Sequence, residues 1–300
     1  MRVVAPGKLL LAGAYAVLEG APALVVAIDR YAVADSAVRG AAPTPEMLAA
    51  MTAEEAPAVD ATALRDGPHK LGLGSSAAIL VAALGALAAR AGKDLAEPSV
   101  RHALLGDARR AHAAVQSGGS GVDVAASVYG GALEYAMGSA ASGASVRPLD
   151  LPNGVVLDVF WSGTPATTSD MRARIDAFQA KDAKAHRRRI DAVAAASWDA
   201  IAAARAGDAS RFIEAVREGG RSLVALGSAA DAPIVPHTAL PLAPLAEADG
   251  GAFVPSGAGG GDVFVHVGPR MASPSFVASA ALAGMRRISM NKDPLGVRVA

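Results

Sequence analysis

Three hundred residues are enough for two modest domains, each with its own apolar core, without disulfide or metal staples. The chain has no cysteine, which excludes disulfides, thiolate metal sites and cysteine nucleophiles and suits a reducing, cytoplasmic setting. Lys+Arg and Asp+Glu balance at 28 each, so no basic surplus points to nucleic acid, and neither a membrane span nor a signal peptide is expected.

Aromatics make up only 4% of a chain that is 52% hydrophobic, so the cores must be built from Ala, Val and Leu. Residues 2–4 and 8–12 predict a hairpin around Ala5-Pro6-Gly7, and a second strand pair is expected at 22–36. Pro43, Pro45, Pro57 and Pro68 mark residues 40–68 as loop and short helix. Helices are expected at 76–92, 98–115 and 122–128, the last opened by a glycine-rich turn at 117–121. Strands at 132–137, 145–150 and 154–161 follow. Asp150-Leu-Pro-Asn-Gly154 reads as a turn and a domain seam, giving domains of residues 1–152 and 153–300. Beyond it, helices are expected at 168–181, 185–206 and 209–226, and short strands near 251–254, 262–267 and 285–289. The basic cluster from Lys181 to Arg189 reads as a solvated helix face, since Asp182 and Asp191 sit beside it.

Four segments carry chemistry. Lys70-Leu-Gly-Leu-Gly-Ser-Ser-Ala-Ala78 is a glycine-rich turn opening into a helix. It fits a phosphate cradle of backbone N–H groups, with Ser75 and Ser76 able to bind phosphate oxygens or magnesium. It fits equally a Ser-capped core helix. It is not a Walker A loop, for it lacks the Gly-Lys-Ser/Thr ending. Lys8, in an otherwise apolar strand, needs either an anion or water for its ammonium. Ser117-Gly-Gly-Ser-Gly-Val-Asp123 puts a carboxylate in a first helical turn, as a cap or dipole partner, or as a base for a substrate. Finally, four glycines in Ser256-Gly-Ala-Gly-Gly-Gly-Asp262 suit a turn that touches a ligand or another loop.

Together Ala5-Pro-Gly-Lys-Leu-Leu-Leu-Ala-Gly13, Gly72-Leu-Gly-Ser-Ser-Ala-Ala78 and Ser256-Gly-Ala-Gly-Gly-Gly-Asp262 resemble the three signature motifs of the GHMP kinases. Ala111-His-Ala-Ala-Val-Gln116, Gly119 to Gly131 and Trp161 to Asp170 resemble most the phosphomevalonate kinase branch. The resemblance implies an α+β fold: an N-terminal ATP-binding domain like the second domain of ribosomal protein S5, and a ferredoxin-like C-terminal domain. It implies transfer of the ATP γ-phosphate to 5-phosphomevalonate, with Mg2+ as cofactor, by a cytoplasmic monomer or homodimer. The alternatives are another GHMP kinase, acting on mevalonate, homoserine or a sugar, or an impaired ligand-binding member. By the same resemblance Lys8 and Asp123 are catalytic. Lys70, Gly72, Leu73, Gly74, Ser75, Ser76 and Ala77 hold ATP, with Ser76 on the metal. Lys8, Tyr15, Ser120, Gly121, Asp123, Ser256, Gly257, Ala258 and Gly259 contact the acceptor. Ala14 stands where the family usually has a glutamate.

Overall fold

The computed structural model describes residues 1–115, 118–138, 143–166 and 168–300. Ser117, in the expected glycine-rich turn, and Gln116 and Thr167, in the motif stretches, lie outside the described residues. The chain divides into two compact units: Met1–Leu9, Val25–Pro148 and Met290–Ala300 form the first, Leu10–Leu24 and Leu149–Ser289 the second.

In chain order the elements begin with β1 (Arg2–Ala12), β2 (Ala23–Arg39), α1 (Pro45–Leu48), β3 (Pro57–Asp60), β4 (Arg65–Asp66) and β5 (His69–Lys70). Next come α2 (Ser75–Arg90), α3 (Pro98–Val115), α4 (Val122–Tyr129), β6 (Ala132–Ala136) and β7 (Ser145–Leu149). Then follow β8 (Val156–Trp161), α5 (Thr168–Lys181), α6 (Ala183–Ala206), α7 (Ala209–Ala229), α8 (Leu242–Ala248) and β9 (Ala252–Pro255). The last are β10 (Val263–Gly268), α9 (Pro274–Leu282), β11 (Arg286–Ile288) and β12 (Arg298–Val299).

In the first unit the sheet runs β12-β1-β2-β6-β7, with β3 paired to β2, and α2 packs on α3 and α4. Two expectations are corrected here. The hairpin around Ala5-Pro6-Gly7 is one uninterrupted strand, β1. Pro6 is tolerated because β12 pairs with β1 only at Val3 and Val4, while the Pro6 carbonyl accepts the Ser127 hydroxyl at 2.7 Å. The strand pair at 22–36 is likewise a single 17-residue strand, β2. Its charged Asp29-Arg30 step makes no turn: Asp29 accepts the Asn291 backbone N–H at 2.7 Å, and Arg30 donates to the Ala63 carbonyl at 3.2 Å. The last residues secure this sheet. Asp293, 1% exposed, accepts from the Tyr31 hydroxyl, the Arg298 guanidinium and the Leu295 and Gly296 N–H groups. A buried carboxylate is stable only with such a full set of donors.

The second unit carries an antiparallel sheet in the order β11-β8-β10-β9. Numbered in chain order this is 4-1-3-2, the ferredoxin-like arrangement that the resemblance implied. Phe160, Phe253 and Phe276 meet edge to face with centroids 5.1–5.9 Å apart, and Phe264 stacks on Phe253. These rings make the core beneath α8 and α9, two short helices that the sequence reading missed. The long α6 and α7 pack on each other, and Asp182 and Asp208 cap their N-termini. Arg187, Arg188 and Arg189 are exposed, as expected of a solvated face. His186 is the exception: it is buried, with Nε2 3.4 Å from Glu19 Oε1.

His266, opposite Asp158 in the β8–β10 register, is 1% exposed. Burial pushes its pKa down, against the opposing pull of Asp158 and Asp249. The fold therefore favours the neutral ring, while the unfolded chain takes up a proton near the ordinary value of about 6.5. Stability is complete above that value and is lost as pH falls below it. Urea midpoints at about pH 7.5 and pH 5.5 are expected to show this loss in the wild type, and a smaller one in His266→Gln. An identical decline in both proteins would assign the effect to other groups.

Candidate active site

The site in the first unit is built around the start of α2. Gly72 and Gly74 both have positive φ, at 76° and 75°, and Gly74 forms the left-handed N-cap. The first N–H groups of a helix have no intrahelical acceptor, and this first turn has no side-chain cap and holds no acidic residue to neutralise the dipole. The α2 stripe of Ala77, Ala78, Leu80 and Val81 is buried, as a core helix requires, but the cap is Gly74 rather than a serine. Ser75 is buried and Ser76 partly exposed.

Lys8 lies alongside. Its N–H donates to the Leu73 carbonyl at 2.9 Å, so β1 is stitched to the turn itself. The close approach needs Gly7, where a Cβ would stand 2.7 Å from the Leu73 oxygen. The Lys8 side chain is 8% exposed, and its Nζ donates to the Gly72 carbonyl at 3.1 Å. It is therefore not a surface lysine with its ammonium in water.

Asp123 stands in the first turn of α4, behind Gly121, whose φ is 76°. A Cβ on Gly74 would meet Lys8 Cγ at 3.0 Å and Asp123 Cβ at 3.4 Å. Lys8 and Asp123 thus both pack against Gly74 at the N-terminus of α2. Asp123 Oδ1 accepts the Val124 N–H at 2.9 Å, and the side chain is 21% exposed. The loop before α4 is anchored from beneath, since the Tyr135 hydroxyl donates to the Ser120 carbonyl. Burial, with Asp123 nearby, pushes the Tyr135 pKa up to about 12, which keeps that donor protonated. Arg109 packs along Gly121 and donates to the Met137 carbonyl at 3.1 Å. Lys70 is exposed on β5, two residues before the turn.

Tyr15 and the third glycine loop belong to the second unit, where they hold each other. Tyr15 has φ 63°, uncommon for a bulky residue, and its hydroxyl donates to the Ala258 carbonyl. Burial raises its pKa, so the phenol stays protonated. Ser256 is buried, and its Oγ accepts the Leu10 N–H at 2.9 Å. Gly257 and Gly259 have φ of 114° and 72°. The Gly260 N–H donates to the Ile234 carbonyl at 2.9 Å, closing the loop onto its own unit.

Sequence reasoning gave no role to His112, Arg109 or Tyr135. His112 was visible, as the one imidazole on the buried α3 stripe of Leu104, Leu105, Ala108 and Ala111. Arg109 and Tyr135 gave no comparable signal, because their contacts are to backbone carbonyls.

Residues 44–131 match the family model described as the GHMP kinases N terminal domain. A phosphomevalonate kinase of Streptomyces sp. (strain CL190) is 29% identical, over 86% of this chain and 87% of that protein. Two solved structures share the fold. The Lin0012 protein of Listeria innocua superposes with a TM-score of 0.85 at 23% identity, over 100% of this chain and 99% of that one. The phosphomevalonate kinase of Streptococcus pneumoniae, solved with phosphomevalonate and AMPPNP, gives 0.81 at 19% identity, over 97% and 99%. The matched segment and these relatives support an ATP-dependent phosphotransferase similar to the GHMP kinases. Within that class the chain is similar to the phosphomevalonate kinases. Among the described residues, no helix is long and apolar enough to cross a membrane.

Proposed function

We propose that this chain transfers the γ-phosphate of ATP to the phosphate of 5-phosphomevalonate, giving the 5-diphosphate and ADP. The observation that carries this reading is that Lys8 and Asp123 both pack against Gly74, the N-cap of α2. The similar Streptomyces protein and the S. pneumoniae complex support the choice of acceptor.

Residues 72–77 hold the nucleotide phosphates on backbone N–H groups. Lys8 places its ammonium where negative charge gathers on the transferring group, which is the main demand of a loose phosphoryl-transfer transition state. The bond from the γ-phosphorus to the β,γ-bridging oxygen breaks, and a new bond forms to an acceptor phosphate oxygen. Asp123 orients that oxygen and takes its proton where one is present. A phosphate monoester with a second pKa near 6 is mostly dianionic at neutral pH, so orientation is the larger part of the task. Mg2+ fits this donor set. Among the described residues no three carboxylate or imidazole groups gather into a metal site. The ion would therefore be held mainly by the nucleotide's own oxygens, with Ser76 as a protein ligand, as is usual for Mg2+. When bound, it supplies charge neutralisation to the β- and γ-phosphates.

The test is ADP release measured with phosphomevalonate, mevalonate, homoserine and galactose in turn. Turnover is expected with phosphomevalonate, and Asp123→Asn is expected to lower its kcat about a hundredfold. Turnover only with an unphosphorylated acceptor would move the assignment to another GHMP kinase.

A further inference from the structure

His112 projects from α3 into the protein interior and is 3% exposed. Its Nε2 lies 3.7 Å from Asp123 Oδ2, just beyond hydrogen-bond reach. Among the described residues neither of its ring nitrogens has a hydrogen-bond partner, although both are shut off from solvent. Its Nδ1 faces Gly119, where even a Cβ would come only to 3.6 Å. A buried ring with two unmet polar atoms is costly, and such groups in folded proteins are rarely left so. Among the described residues, the charged partner within ion-pair distance is Asp123.

We infer that His112 is a positioning residue for Asp123: once acceptor and nucleotide are bound, its Nε2–H donates to Oδ2 and fixes the carboxylate plane. This inference rests on the kinase reading above. Asp123 Oδ1 already accepts the Val124 N–H, so the second bond would secure both oxygens. Each carboxylate oxygen keeps a further lone pair for the acceptor. A carboxylate accepts only, so the proton must be on Nε2, whether the ring is neutral or an imidazolium. The gap needs to close by less than 1 Å, as is common when catalytic hydrogen bonds tighten on substrate binding. The need is plain on chemical grounds. An anionic acceptor pushes a facing carboxylate aside unless a donor behind it holds it in place.

The experiment compares His112→Ala and His112→Gln in the full chain, with phosphomevalonate and ATP. The alanine variant is expected to lose about thirtyfold in kcat with the KM for ATP unchanged, the scale of an orientation error of about 1 Å. Glutamine, whose amide N–H reaches the Nε2 position, is expected to recover most of that loss. Equal losses in both variants, or wild-type turnover in His112→Ala, would overturn the inference. Because alanine could instead destabilise α3, imidazole 15N spectra of wild type and Asp123→Asn are recorded with ADP and phosphomevalonate present. A protonated Nε2 signal that moves in Asp123→Asn supports the contact; an unprotonated Nε2 refutes it. That spectrum needs no turnover, so a failure of the kinase reading would show separately, as absent ADP release in the wild type.

Discussion

Lys8→Met is expected to lower kcat about a thousandfold while changing the melting temperature far less than such a loss of activity would suggest. Lys8 is almost fully buried, its stem packs against Gly74, and its ammonium donates to the Gly72 carbonyl. Methionine preserves that stem and its packing. What it removes is the ammonium, with its charge and its hydrogen bond to the Gly72 carbonyl. The substitution therefore separates two roles that alanine would confound. Steady-state ADP release gives kcat, and a thermal melt of the same sample gives stability. A variant that melts well below the wild type and loses activity only in proportion would make Lys8 a structural residue. One that turns over at the wild-type rate would remove it from the chemistry.

The second large effect is on stability. Gly259→Ala is expected to cost about 3 kcal/mol, from two additive sources. The residue has φ 72°, a left-handed conformation that costs a side-chain-bearing residue roughly 1–2 kcal/mol. Its new Cβ would also stand 2.1 Å from the Ile234 carbonyl oxygen, which is backbone and cannot swing away. The neighbouring Gly260 N–H donates to that same carbonyl, so relief of the clash breaks a hydrogen bond. Gly20→Ala is the comparison, since it has φ 91° but nothing within 4 Å of the new Cβ. A urea melt that finds the two variants equally destabilised would reduce the Gly259 effect to backbone strain alone.

Much of this fold was legible because its helices and most of its strands follow simple periodicity. The stripes of α2, α3, α6 and α7 gave boundaries close to those observed. The failures have local causes. Pro-Gly reads as a turn because those residues favour turns, but at Pro6-Gly7 the tertiary structure uses them otherwise. Proline sits beyond the last residue that β12 pairs, and glycine admits the Leu73 carbonyl. Asp29-Arg30 looked like a break because the sequence does not show that Asn291, 262 residues away, will meet it. The site divides in the same way. Gly72, Gly74, Lys8 and Asp123 stood out because glycines before a helix, a lysine in an apolar strand and a first-turn aspartate are each odd where they occur. Their meeting around Gly74 is a three-dimensional fact. His112 was passed over because a histidine on a helix stripe is read first as core.

The first unit is discontinuous, and that has a consequence for the order in which it is made. Its central strands leave the ribosome well before Met290–Ala300, from which β12 and the Asp293 clasp come. At a synthesis rate of 5–20 residues per second, the intervening stretch delays that clasp by on the order of ten seconds after residue 148. Throughout that interval the nascent sheet has an unpaired flank along β1 at Val3 and Val4. Nascent chains arrested anywhere before Met290 would share that exposed edge, making them natural clients for a chaperone that shields unpaired strands.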